Sequence, residues 1–272
     1  MEQKGGILLK NTKVVQLNGT KELTFALVET GKEKAQSTIA FDYCISTMPI
    51  KDLFNAFSFA IPLDIKKISD NLVYRDFITV GILLDKTKIE LNDNWIYIQE
   101  SYVKVGRIQV FNNWSPFLVS NTETIWLGLE YFCNENDSLW QLNEEELIVL
   151  AGQELIQLGF IDSNKNVLDA KVIKVPKTYP AYFGAYNEFY KIRNFVDAIP
   201  NLFLVGRNGM HKYNNQDHSM MTAMLAAKNI VAGKEVYDLW DVNEDAEYHE
   251  GGERGAEVEK VAERLVPQKL NP

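Results

Sequence analysis

The chain has 272 residues, 46% hydrophobic and 11% aromatic, enough to bury one large core or two modest ones. A formal net charge of -9 and an isoelectric point near 5.0 argue against nucleic-acid binding, which rests on clustered Lys and Arg that release counterions. Cys44 and Cys133 lie far apart and outside any CxxC pair, so neither a metal site nor a disulfide framework is expected, and a reducing compartment fits best. MEQKGGILLK lacks the apolar stretch of a signal peptide, and no apolar run approaches the roughly 18 residues that cross a bilayer. A cytoplasmic protein without a membrane span is expected.

Three short strands are expected over Ile7 to Lys10, Lys13 to Leu17 and Leu23 to Glu29, with turn chemistry at Asn18-Gly19 and Thr30-Gly31-Lys32. IAFDYCIS, Ile39 to Ser46, reads as a half-buried strand ended by Thr47-Met48-Pro49. Helical pieces follow around Lys51 to Phe57 and Leu63 to Asn71. RDFITVGILLD, NWIYIQE, VGRIQVF and ETIWLGLEYFC then predict one antiparallel sheet with an aromatic face. Asn143 to Leu158 is a helix with an Asn cap, three Glu in its first turn and Gly159 after its end. A strand over Val167 to Pro176 and an amphipathic helix over Tyr186 to Ile199 come next. After Trp240 the composition turns acidic, as in a solvated tail.

The sequence holds no Walker A loop, HExxH, GxSxG or GxGxxG, and only three histidines, His211, His218 and His249. Chemistry therefore points to one stretch, NLFLVGRNGMHKYNNQDHSMMTAMLAAKNIVAG from Asn201 to Gly233. Leu202 to Val205 is an apolar run of the kind found in a parallel sheet covered on both faces. Gly206 ends it, so that backbone comes close to whatever lies beyond the strand. The helix beyond presents unpaired N–H groups and a positive dipole end near His218, Ser219 and Met220. Asp217 is the expected N-cap, and its charge would repel an ionised phosphate, so a carbonyl is the better guest. Ala223, Ala226, Ala227 and Ala232 keep the helix slim enough for close packing. Read without any ligand, the same polar residues only cap and turn.

NLFLVGRNGMHKYNNQDHSMMTAM resembles the C-terminal flavin-binding segment of the FAD-dependent amine-oxidase and protoporphyrinogen-oxidase-like superfamily, and IAFDYCISTMP resembles its strand returning to the FAD domain. DNWIYIQESYVKVGRIQVFNNWSPFLV, IWLGLEYFCNENDSLW and YPAYFGAY are similar to a bacterial branch of NAD(P)/FAD-dependent oxidoreductases related to UDP-galactopyranose mutase. The likeness covers about Gly5 to Glu250. It implies an α/β (α+β) chain: a partial FAD-binding Rossmann-like domain with an inserted antiparallel sheet-plus-helix substrate domain. The implied parts are a meander and return strand over 1–50, a substrate domain over 51–185, a C-terminal FAD-binding segment over 186–240 and an acidic tail over 241–272. The strand, GxGxxG and helix with which that family begins have no counterpart here, so the chain looks like a C-terminal portion.

Carried over by position, the resemblance implies FAD held by Thr47, Met48 and Pro49, by Gly206, Arg207 and Asn208, and by the amides of Asp217, His218, Ser219 and Met220. The substrate, a small molecule and under the mutase likeness a nucleotide sugar, would meet Arg107, Trp114, Tyr131, Tyr179 and Tyr213. Arg107 could be a bidentate anion clamp or half of a rim salt bridge. Trp114 and Tyr131 read as core aromatics first and as pocket walls second. Three functions stay open: the C-terminal part of an FAD-dependent oxidoreductase, a flavin-dependent isomerase of the mutase type, or a non-catalytic scaffold. No metal is implied. The partial sheet would expose Leu204, Val205 and the helix face around Met221 and Leu225, favouring self-association or a complementary half on another chain.

Overall fold

The computed structural model describes residues 2–85, 87 and 89–243; His249 and nearly all of the expected acidic tail lie outside them. β1 (Thr12–Gly19), β2 (Leu23–Thr30) and β3 (Ala35–Ala40) form an antiparallel meander. Leu17, Leu23, Ala26 and Val28 are buried; Ala26 and Val28 follow period-2 alternation, and Leu23 departs from it beside the register shift at Asn18/Gly19. Ile7 to Lys10 is not a strand; Ile7 is 84% exposed, with no ladder to join. The single strand expected over Ile39 to Ser46 is two. Ile39 and Ala40 finish β3, and the chain changes partners before β4 (Cys44–Ser46): Phe41 N–H donates to Thr24 O at 3.2 Å, whereas Cys44 N–H donates to Asn201 O at 2.8 Å. The Asn201 side chain holds this junction, accepting from Leu23 N and donating to the carbonyls of Leu23 and Asp42.

Pro49 and Pro62 introduce α1 (Ile50–Ala56) and α2 (Leu63–Asp70), their fixed φ suited to a helix entry. Next come β5 (Tyr74–Leu84), β6 (Trp95–Tyr97), β7 (Arg107–Val110), the one-turn α3 (Phe111–Trp114), β8 (Ile125–Cys133), the one-turn α4 (Ser138–Gln141), α5 (Glu144–Gln157) and β9 (Val167–Pro180). The chain ends its described part with α6 (Phe189–Asp197), β10 (Leu202–Leu204), the single turn α7 (Gly206–Gly209) and α8 (Gln216–Ala232).

These elements form two compact units, one of Met1–Val73 with Pro180–Pro272 and one of Tyr74–Tyr179. The insertion is thus shorter than the expected 51–185. α1 and α2 belong to the first unit because their apolar faces are buried there; the Phe54 ring lies 5.5 Å from Phe195 of α6.

In the first unit β4 and β10 pair in parallel, Cys44 opposite Leu202 and Ser46 opposite Leu204. This pair is covered on one side rather than both. Leu204, Val205 and Leu225, expected to be partly exposed, are 4%, 2% and 1% exposed. The open apolar positions are Ile45 at 44%, opposite Phe203 in the ladder, and Met220 at 64% and Met224 at 55% on α8.

In the second unit the sheet order is β6-β7-β8-β5-β9. β5, β6, β7 and β8 pair antiparallel. Ile78, Val80, Leu127, Leu129 and Ile108 point to one side and pack on Leu147, Ala151 and Leu155 of α5. A reciprocal cap starts α5: Asn143 Oδ1 accepts from Glu146 N–H and Glu146 Oε2 accepts from Asn143 N–H. Alternation leaves the other side of the sheet with Thr79, Gly81, Trp126, Gly128, Glu130 and Phe132.

Among the described residues no helix is long and apolar enough to cross a membrane.

Candidate functional site

Val205 N–H donates to Ser46 O at 3.0 Å, the last bond of the parallel ladder. The chain then turns at Gly206, whose φ of 73° an L side chain rarely adopts. Its N–H donates to Thr222 Oγ1 at 3.1 Å, tying the turn to α8. Gly209 is required for space instead: a Cβ there would lie 2.6 Å from Ser46 O and 3.1 Å from Thr47 Cα. Two glycines therefore bring Gly206, Arg207 and Asn208 against Thr47, Met48 and Pro49 at the C-terminal ends of β4 and β10. Ser46 Oγ accepts from Met48 N–H at 3.2 Å and fixes that segment.

The polar loop that follows is largely turned in on itself. Arg207 Nε donates to Asn214 O at 2.9 Å, and the guanidinium lies 4.7 Å from the centroid of the Tyr213 ring. Tyr213 N–H donates to the Tyr182 hydroxyl. Lys212 Nζ donates to Trp240 O at 2.6 Å. His211, fully buried and with φ of 46°, places Nε2 3.1 Å from Ala181 O between the rings of Tyr186 and Phe189. Burial lowers its pKa to about 4 against the opposing effect of that backbone bond, so the ring is neutral and Nε2 is the donor. Asn208 Oδ1 and both amide atoms of Asn214 are buried and have no hydrogen-bond partner within the protein.

α8 begins two residues earlier than its acidic residue suggested. Its N-cap is Asn215, extended at φ -79° and ψ 179°, whose carbonyl accepts from Ser219 N–H at 3.0 Å and whose N–H donates to His218 Nδ1 at 3.3 Å. Asp217 is not the cap; it is the second helical residue, with its side chain 68% exposed. The Asn215 side chain accepts from His218 N–H, closing a capping box, so the first-turn amides that the helix leaves over are those of Gln216 and Asp217. Those of Ser219 and Met220 are not offered, since Ser219 N–H already serves Asn215 and Met220 lies a full turn in. Of the four alanines expected to give a close-packing face, only Ala226 is buried. A cavity of about 890 Å³ runs along β10 and the C-terminal half of α8, and neither Gly206 nor Gly209 lines it.

The second unit carries a different cluster. Cross-strand register sets Arg107 opposite Glu130, with Gln109 two residues along the same face. Arg107 Nε and Gln109 Nε2 each donate to one oxygen of Glu130, which is 1% exposed. Around the guanidinium stand Trp95, Tyr97 and Phe132, their centroids 5.5, 5.7 and 5.9 Å away. Burial disfavours its charge, but the hydrogen bond and ion pair with Glu130 outweigh that and raise its pKa. Arg107 is therefore neither an uncommitted anion clamp nor half of a rim salt bridge; it is half of a buried pair.

Trp114 and Tyr179 belong to this face. Trp114 is 41% exposed with its ring 5.1 Å from Trp95, and the Tyr179 ring lies tilted 5.9 Å from Phe132. Tyr131 does not, because strand alternation turns it to the core beside Glu130. It is wholly buried and donates to Glu154 Oε2 at 3.0 Å, so it is no pocket wall. Tyr213 lies in the first unit as the ring partner of Arg207. Glu130, Gln109, Trp95 and Tyr97 were missed, although the alternation in WLGLEYF already placed Trp126, Gly128, Glu130 and Phe132 on one side.

No family model matches the sequence, and no curated protein matches it. Solved structures do. Reduced UDP-galactopyranose mutase aligns over 82% of this chain and 47% of its own, with a TM-score of 0.67 at 19% identity. A protein from Exiguobacterium sp. 255-15 given as a protoporphyrinogen oxidase aligns over 72% of this chain and 42% of its own, with a TM-score of 0.54 at 13% identity. The chain spans less than half the length of either. Its mixed helix-and-sheet fold is the one seen in these proteins.

Proposed function

We propose that the chain carries the flavin-facing segment and the substrate domain of an FAD-dependent oxidoreductase of amine-oxidase-like type. The observation that carries this reading is the turn at Gly206: at the C-terminal ends of two parallel strands, backbone without side chains faces the start of a helix whose first N–H groups lack internal acceptors. An exposed Asp217 in the first helical turn disfavours an ionised phosphate and leaves room for a polar carbonyl edge, as a flavin ring offers. On this reading Thr47 to Pro49, Gly206 to Asn208, and the amides of Gln216 and Asp217 border the cofactor, with His218 fixing the helix start through its cap with Asn215, and bound FAD would supply two-electron transfer. Arg207 acts by fixing the loop through Asn214 O and Tyr213. Arg107, Trp114 and Tyr179 serve the substrate.

A second reading, a flavin-dependent isomerase of the mutase type, is favoured by the higher TM-score of that likeness. Incubation of the reduced, FAD-loaded protein with UDP-galactopyranose separates the two, since only the isomerase turns it over without consuming an electron acceptor. A scaffold without catalysis is the third. Because the chain spans 47% of the mutase chain, weak FAD binding is expected. Titration with millimolar FAD, followed by backbone amide NMR, should move the resonances of Gly206, Gln216, Asp217 and His218. If those four stay in place at saturating FAD, the flavin reading fails and the scaffold reading gains.

A further inference from the structure

The exposed side of the Tyr74–Tyr179 sheet raises its own question: what would settle on a buried ion pair ringed by half-exposed aromatics? Trp95, Tyr97, Trp114 and Phe132 are between 36% and 50% exposed, far more than core aromatics need be. Between them Arg107 and Glu130 cancel each other's charge, and Gln109 completes the carboxylate's shell. Farther along the same side, Lys171 is paired with Glu144 at 2.9 Å. Around the four aromatics the charges are thus paired, and exposed Arg75, at the start of β5, is a cation on the same side outside those pairs.

We infer that this face binds an uncharged, hydroxylated ring, a glycoside or related polyol, and that Glu130 is the residue that turns anions away from it. The inference rests on the proposed reading of Tyr74–Tyr179 as a substrate domain.

Three features select the ligand. First, aromatic faces carry negative quadrupole, so an anion gains nothing there, and the cation–π positions are already filled by Arg107. A sugar ring instead lays its C–H groups on such faces. Second, a guanidinium holds five N–H donors and an amide offers both donor and acceptor, so Arg107 and Gln109 retain capacity beyond Glu130 for vicinal hydroxyls. A purely apolar ligand would strip water from these groups and give nothing back. Third, Gly81 and Gly128 remove side chains from the middle of the sheet. A Cβ at Gly128 would lie 2.9 Å from the Phe111 ring and one at Gly81 3.4 Å from Trp126, so both rings bring an edge into the space those side chains would take. They line a depression of about 300 Å³ with Thr79, Leu118, Lys171 and Ile173, at the small end of ligand pockets.

The test uses the full chain with two probes, methyl β-galactopyranoside and UDP, read by the indole N–H resonances of Trp95 and Trp114, assigned through Trp95→Phe and Trp114→Phe. The glycoside should shift both resonances with little salt dependence, and UDP should shift neither. Glu130→Gln, checked for an unaltered thermal unfolding profile, should gain affinity for UDP by about tenfold as Arg107 loses its partner. Salt-sensitive UDP binding to the unmodified chain that is tighter than glycoside binding, or no shift with either probe, would overturn the inference. Should Glu130→Gln fail to fold, the two titrations of the unmodified chain decide alone. FAD shifts at Gln216 to His218 without glycoside shifts at Trp95 and Trp114 would leave the flavin reading standing and remove this one; the converse would do the reverse.

Discussion

The two units solve the problem of presenting chemistry in opposite ways. In the first, polar side chains face inward: Arg207, Lys212 and His211 bind main-chain carbonyls of Asn214, Trp240 and Ala181, and what remains to meet a ligand is glycine backbone and helix amides. In the second, the sheet ladder already satisfies the backbone, so only side chains such as Arg107, Gln109 and Glu130 can act. Substitutions in the first unit should therefore act through φ, space and caps. Those in the second should act through charge and buried hydrogen bonds.

The largest effect belongs to the second unit. Glu154 is 3% exposed and accepts from Lys104 N at 2.6 Å, Val105 N at 3.2 Å and Tyr131 Oη at 3.0 Å. Glu154→Leu orphans three donors, those of Val105 and Tyr131 buried, and should destabilise by about 3–5 kcal/mol in urea unfolding. Tyr131→Phe removes one of those bonds and should lose only about 1 kcal/mol. Equal losses for the two variants would mean that packing, not hydrogen bonding, dominates there.

Next comes the glycine turn. Gly209→Ala drives a Cβ to 2.6 Å from Ser46 O, a backbone atom that cannot step aside, and should lose about 2–3 kcal/mol. Gly206→Ala meets only ordinary contacts with Ser219, at 3.6 Å, but must hold φ near 73°, and should lose about 1–2 kcal/mol. The reverse order in a thermal unfolding series would show that conformation outweighs space at this turn.

His211 gives the first unit an acid sensitivity that the second unit's pairs do not predict. Its folded pKa, about 4, lies below the ordinary value of 6.5 because burial disfavours the charged ring. Between those values the unfolded chain binds the extra proton, so stability is full above pH 6.5 and falls as the pH drops toward 4, by up to about 3 kcal/mol. Stability measured against pH should slope in that window, and His211→Phe should flatten it.

How far the sequence disclosed this arrangement follows the same division. The strand, glycine, loop and helix from Leu202 to Gly233 were legible because apolar run, φ-permissive residue and cap signals are local. The reciprocal Asn143–Glu146 cap was legible for the same reason. The Arg107–Glu130 pair was not, since it depends on which residue of β8 falls opposite β7, a register no local pattern states. Tyr131 kept its first reading, a core aromatic; its second, a pocket wall, fails because alternation turns it away from the Glu130 side. The break between β3 and β4 was hidden because Asn201, 157 residues after Cys44 in the chain, supplies the bonds that redirect the backbone.

The smallest effect is the sharpest check on where α8 begins. An acidic residue just before an apolar helix is a reasonable cap in sequence, yet Asn215 has the extended backbone and accepts the first intrahelical bond from Ser219. Asp217 stands inside the helix, exposed, where it meets the dipole and lies 3.5 Å from His218 Nδ1. Asn215→Ala should therefore lose about 1 kcal/mol, and Asp217→Ala no more than about 0.5 kcal/mol, that remainder fading with added salt. The two positions also part in their effect on a flavin. Asn215 orients the first-turn amides, so its loss should weaken the FAD-induced shifts at Gln216 to His218. Removing the Asp217 charge should leave or strengthen them, because a negative group no longer competes for the same dipole end. An Asp217→Ala variant that lost more stability than Asn215→Ala would move the helix start back to the position the sequence alone suggested.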